Sequence, residues 1–156
     1  MQREVNTPLA STADMRLYLR DEELDRGAGL ILLAERALAA AAEPARKASG
    51  LKRGEMQILL SIHQFPGQDV SSLRTRLAMT VPTCARLLGE LDKRGLVARD
   101  PGGDDRRRRA LHLSEDGEAV LDPIMSAMRS ALREAYKITG PGDVAGARTL
   151  LETITR

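Results

Sequence analysis

Residues 70–114 read VSSLRTRLAMTVPTCARLLGELDKRGLVARDPGGDDRRRRALHLS, and this stretch decides the fold. Its first part predicts a short helix with Leu73, Leu77 and Met79 as apolar positions, followed by a tight turn. In its second part Cys84, Leu87, Leu88 and Leu91 recur every three or four residues, which is one face of a helix. Pro82 suits a helix start, where its missing N–H costs nothing. Gly95 stops the helix where positive φ is wanted. Two strand-like pieces follow, LVAR and ALHL, with Leu111 and Leu113 pointing inward by alternation. The link between them, RDPGGDDRRRR, has turn-forming Pro101, Gly102 and Gly103 and then four arginines. Helix, turn, helix and an arginine-tipped hairpin form an arrangement suited to duplex DNA.

With Cys84, Leu88 and Leu91 inward, Thr80, Thr83, Arg86, Glu90 and Lys93 are left for the outer surface of the second helix. Its N-terminal half is the part that enters a major groove in helix-turn-helix proteins. Arginine pairs bidentately with guanine, and threonine bonds a base or touches a thymine methyl. Pro82, Thr83 and Arg86 are therefore the candidate base readers. Ser72, Arg74, Arg76, Thr80 and Lys93 are candidates for positioning phosphates. The alternative is an ordinary solvated face of mixed charge. Against it stands the charge distribution. Residues 86–109 hold eight basic and five acidic side chains, net +3, whereas the whole chain is only +2. Positive charge is concentrated at the hairpin, as an anionic partner requires.

On residues 73–77, 83–97 (TCARLLGELDKRGLV), Asp100-Pro101, Asp105-Arg106-Arg107 and 111–117, the sequence resembles the MarR family of bacterial winged-helix transcription regulators. The resemblance spans about residues 22–156, and the wing motif is its most specific part. It implies that the helix after the turn lies in the major groove. It also implies that a wing arginine following an aspartate reaches the minor groove or its phosphates. Those roles fall here to the region of Pro82 to Arg86 and to Arg106 or Arg107. In the wing as a whole Arg106, Arg107 and Arg108 are the candidates for the minor-groove flank, and Asp104 or Asp105 is the candidate for orienting an arginine by pairing with it. Two departures are visible: the arginine run is longer than usual, and Pro82 stands where a small polar residue is common. The family often binds small aromatic effectors between its dimer helices and its reading lobe.

The rest of the chain fits a mainly α protein with a small β-wing. The 156 residues suit one domain: an arm at 1–21, then a domain at 22–156 whose DNA-binding lobe covers about 50–114. Residues of about 22–47 and 115–156 read as flanking dimerisation helices. In the first, Pro44 is expected to kink or end the helix. Leu24, Ile31, Leu132, Tyr136, Leu150, Leu151 and Ile154 are the candidate dimer contacts, because closed two-fold dimers are the commonest homo-oligomers. Ser71 and Ser72 are cap candidates for the helix after Gly67, and Gln68 to Val70 for a short third strand. Ser114 reads as one N-cap and Asp143 as another, and Pro123 as a bend or a shifted helix start.

Several classes are excluded or disfavoured. No apolar run reaches bilayer length, and the opening MQREVNTPLAS lacks a signal-peptide core. A single cysteine makes no internal disulfide, which fits a cytoplasmic protein. Two histidines and one cysteine offer no structural zinc set, and neither a phosphate loop nor a catalytic carboxylate pair is present; no cofactor and no enzymatic activity are expected. Cys84 reads as core packing, with oxidant sensing assisted by Arg86 as the alternative. Only Tyr18, Phe65 and Tyr136 are aromatic, so a stacking pocket for an effector has few walls. The expectation is a homodimeric repressor of transcription on a pseudo-palindromic DNA site, with an effector of unknown identity. The alternative is a winged-helix dimer that serves protein assembly without sequence-specific DNA binding.

Overall fold

The computed structural model describes residues 16–99 and 110–155. Backbone contacts divide the chain into two compact units, residues 1–38 and 39–156. The first unit is helical through nearly all of its described part, and α1 (Asp21–Ala48) begins in it. Asp21, Glu22 and Glu23 open α1, and Arg46 and Lys47 close it, each sign matching the helix dipole at its end. Pro44 lies inside α1 and does not end it. The ring removes only the bond to the Ala40 carbonyl, and Ala40 is exposed, so water can take that acceptor.

The second unit carries the core. Its elements are the end of α1, α2 (Arg53–Gln64), α3 (Val70–Arg76), α4 (Val81–Lys93), β1 (Val97–Arg99), β2 (Leu111–Leu113), α5 (Glu115–Ile138) and α6 (Pro141–Ile154). Ile58, Leu59 and Ile62 of α2 pack with Leu73 of α3, with Cys84, Leu87, Leu88 and Leu91 of α4, and with Leu121 and Ile124 of α5. The apolar face expected of α4 is therefore the observed one. The strands pair antiparallel, Val97 opposite Leu113 and Arg99 opposite Leu111. The expected third strand reduces to a single bridge between Gln68 and Leu111. It stops there because Asp69 caps α3, its carboxylate accepting the Ser72 N–H at 2.7 Å. Ser71 and Ser72 thus fall inside α3, and Leu77 and Met79 beyond its end.

Three helix ends share one device. Gly50, Ala78 and Gly95 have φ of +67°, +49° and +68°. In each case the residue's N–H and the next one bond back to carbonyls of the last turn, as Gly95 does to Asp92 and Leu96 to Leu91. Ala78, in the turn between α3 and α4, holds this left-handed conformation despite its Cβ, which costs about 1 kcal/mol or more. Ala78→Gly should therefore raise the urea midpoint at unchanged slope, a net gain of about 0.5–1 kcal/mol after glycine's greater unfolded-state entropy is allowed for. A lowered midpoint would mean that the alanine side chain contributes packing that outweighs its strain.

Ser114 caps α5, its hydroxyl accepting the Gly117 N–H at 3.0 Å. Pro123 sits inside α5, neither shifting its start nor ending it. The cap of α6 is Gly140, not Asp143. Pro141 forces the residue before it into an extended conformation, so the helix can only begin at the proline. Asp143 lies in the first turn instead, where its charge suits the dipole.

Candidate nucleic-acid interface

The N-terminal turn of α4 is built by its cap. Thr80 is extended, with φ −70° and ψ 154°, and its hydroxyl oxygen accepts the Thr83 N–H at 3.4 Å. The Thr80 hydroxyl also donates to Thr83 Oγ1 at 2.9 Å. Pro82 follows at the second helical position, where no intrahelical donor is needed. Thr80, Pro82, Thr83 and Arg86 are all exposed. So is Val81, to which the sequence pattern assigned no role.

Arg86 is held from one side. Its guanidinium donates to Glu90 Oε1 at 3.1 Å, and Lys52 Nζ donates to Glu90 Oε2 at 2.6 Å. These two cations, Lys52 first, hold the Glu90 carboxyl below its ordinary pKa. Glu90 thus orients the arginine along the helix surface and ties it to the start of α2, thirty-eight residues upstream. Lys52 carried no sequence signal, because a pair so separated follows no local periodicity. Such exposed pairs contribute little stability; their value here is orientation.

The positions expected to hold phosphates divide. Lys93 is exposed, with no ion pair among the described residues. Ser72 is exposed, and Arg74 is half-buried. Arg76 lies 3.7 Å above the Phe65 ring, a cation–π contact. Asp105, Arg106, Arg107 and Arg108 lie outside the described residues. At the hairpin's base Arg99 pairs with Asp92 of α4 at 2.6 Å, which fastens β1 to the helix.

Cys84 is buried in the core. Burial pushes its thiol pKa up, and the charge that pulls the other way is Arg74, not Arg86 as the sequence suggested. A thiol kept protonated and covered is a poor nucleophile, so packing accounts for it.

A cleft of about 820 Å³ is lined by Gln64, Phe65, Arg76, Tyr136, Arg148 and Leu151, among others. Two of the chain's three aromatics meet in it, with two arginines beside them. The few walls expected from composition are thus concentrated at one place, which counting aromatics did not reveal. Tyr136 and Leu151, both expected as dimer contacts, line it. Among the described residues no group of side chains could hold a metal ion, and no helix is long and apolar enough to cross a membrane.

Comparison with known proteins agrees with this geometry. The MarR family model matches residues 49–108, the segment from the start of the reading lobe through the wing. The HTH-type transcriptional regulator PetP of Rhodobacter capsulatus is 33% identical over 138 residues, covering 88% of this chain and 83% of that one. Among solved structures, NadR in complex with 4-hydroxyphenylacetate superposes with a TM-score of 0.72 at 22% identity, covering 83% of this chain and 91% of that one. Staphylococcus aureus MarR in complex with salicylate and kanamycin superposes with a TM-score of 0.66 at 15% identity, covering 86% and 91%. With a relative one-third identical along most of both chains, and a fold shared with solved MarR proteins, the chain belongs to the MarR family of DNA-binding proteins: it is a winged helix-turn-helix transcription regulator, and not an enzyme.

Proposed function

We propose that the protein is a homodimeric repressor that occupies a pseudo-palindromic operator and is released from it by a small aromatic carboxylate. The exposed N-terminal half of α4 carries this reading. There Thr83 and Arg86 stand outward on a helix whose opposite face is core. In this reading Pro82, Thr83 and Arg86 face the bases, and Ser72, Thr80, Lys93 and Arg74 face phosphates. The basic wing, Asp105 with Arg106, Arg107 and Arg108, flanks the minor groove; its assignment rests on sequence and family likeness. Arg76 is assigned to the effector cleft and not to phosphate. Two copies joined through the terminal helices would present two reading helices to half-sites about 34–36 Å apart.

The effector class follows from the cleft. Phe65 and Tyr136 offer faces for a ring, and Arg76 and Arg148 offer donors for a carboxylate. NadR was solved with 4-hydroxyphenylacetate and S. aureus MarR with salicylate, both aromatic carboxylates. Such a ligand loosens DNA only if it binds more tightly to a conformation unlike the DNA-bound one.

Fluorescence anisotropy on duplexes from the regulator's own upstream region, against a scrambled duplex and at two salt concentrations, tests the reading. The expected result is selective binding that weakens steeply with salt. Arg86→Ala should reduce the preference over the scrambled duplex by about 1–3 kcal/mol while leaving most non-specific binding intact. Salicylate should then lower affinity in the wild type and not in Arg148→Ala. Absence of DNA binding even at low salt would favour a protein-assembly role for the wing.

A further inference from the structure

The tip of α4 is apolar where a polar surface would be the ordinary outcome. Val81 is 65% exposed. Every other exposed large hydrophobic among the described residues lies within 17–33 or 136–154, in the terminal helices or just before the first of them. On a helix of about 3.6 residues per turn, a residue seven positions before Leu88 lies nearly in line with it. Leu88 is buried and Val81 is not, so the first turn of α4 projects past the core that covers the rest of the helix. Valine gains nothing there in the free protein: it is a poorer helix former than alanine, and it holds apolar surface in water.

The polar groups of the tip are turned on one another. The Thr80 hydroxyl donates to Thr83 Oγ1, and Thr80 Oγ1 accepts the Thr83 N–H. Pro82 has no N–H to offer. A helix start normally attracts phosphate through its unused amides, but here one is absent and another is taken. Among the exposed groups of this turn are the valine side chain and the proline ring. The matching surface on a base-pair edge is the 5-methyl group of thymine, the one apolar feature of the major groove. A β-branched side chain suits that contact, since its χ1 is already restricted and little freedom is lost on docking.

We propose that Val81 is a specificity-determining residue that recognises a thymine 5-methyl group in each half-site. This rests on the reading of α4 as the helix that enters the major groove. The test uses the tightest duplex that the purified wild-type protein enriches from a random-sequence library, compared with the same duplex in which each half-site thymine in turn is replaced by deoxyuridine. That replacement removes one methyl group and no hydrogen-bonding atom. At one position per half-site the wild type should bind the uracil duplex about fourfold more weakly, the effect of one buried methyl group. Val81→Ala, whose exposed position leaves the fold intact, should bind both duplexes alike and, because a homodimer loses the contact in both half-sites, about sixteenfold more weakly than the wild type binds the thymine duplex. A wild type that enriches no duplex would overturn the DNA-reading assignment itself. A selective wild type indifferent to uracil would overturn the Val81 inference alone. So would a Val81→Ala variant that keeps the full discrimination, which would assign the methyl contact to Thr83.

Discussion

Gly117→Ala should cost the fold about 3 kcal/mol, because the added methyl has no space and its neighbour cannot yield. A Cβ at this position would sit 2.1 Å from the Leu96 carbonyl oxygen and 3.1 Å from its carbon, both backbone atoms. That carbonyl accepts the Ser114 N–H at 3.2 Å. Ser114 in turn donates its hydroxyl hydrogen to the Gly95 carbonyl at 2.6 Å and caps the Gly117 N–H. The end of α4, the entry to the wing and the start of α5 are therefore fastened at one point. A methyl group there must push Leu96 away by more than an ångström, on the scale of ordinary contact distances, and so break the Ser114 bonds as well. At fixed protein concentration the thermal midpoint should fall by about 6–12 °C, scaling about 2–4 °C per kcal/mol for a chain of this size. Gly89→Ala is the control. Nothing lies within 4 Å of its added Cβ, and mid-helix alanine is favoured over glycine by about 1 kcal/mol, so that variant should match or exceed the wild type. Equal behaviour of the two alanine variants would sink the close-approach explanation.

The sequence disclosed what depends on near neighbours. The face of α4, the place of Pro82, the stop at Gly95 and the cap at Ser114 all follow from spacing and from single-residue stereochemistry, and the structure has each of them. Errors arose where two local solutions competed. Asp69, Ser71 and Ser72 are all good caps, and the chain uses the first, which also ends the third strand. Gly140 takes the cap from Asp143 because a proline follows it. The turn between α3 and α4 was legible as a turn, but its left-handed residue is an alanine and so carried no signal. Interactions between distant positions were not legible at all. Lys52 reaching Glu90, and Phe65 meeting Tyr136 in one cleft, are products of packing, and no periodicity marks them. The apolar tip at Val81 stayed hidden for the opposite reason: its phase lies close to the buried face, and only the structure shows that the core ends before it.

Leu150→Glu combined with Ile154→Glu should convert the protein to a monomer and weaken operator binding by about 100-fold or more. Helix α6 spans fourteen residues and buries none of them within the chain. Isolated helices of that length are marginal in water, so its apolar residues need cover from elsewhere. Leu150 and Ile154 are exposed on it, four residues apart and hence on one face. Burying two such side chains contributes about 1.5–3 kcal/mol each, and in a two-fold interface every contact occurs twice. A carboxylate at both positions removes that burial and sets like charges against each other across the symmetry axis. The two substitutions leave the reading helix untouched, yet they weaken DNA binding because a dimer's second half-site binds at an effective concentration near millimolar, which adds about 10²–10⁴ to affinity. Leu151 is left unchanged because it lines the cleft, so effector binding stays a separate question. Sedimentation equilibrium gives the mass, anisotropy on full and half operators gives the affinity, and near-native far-UV dichroism shows that the reading lobe is still folded. The decisive comparison is between the two duplexes: the variant should bind the full operator no better than the half operator, whereas the wild type should strongly prefer the full one. A variant that remains dimeric and keeps that preference would remove α6 from the interface and leave the exposed apolar residues of α1 as the surface on which the copies join.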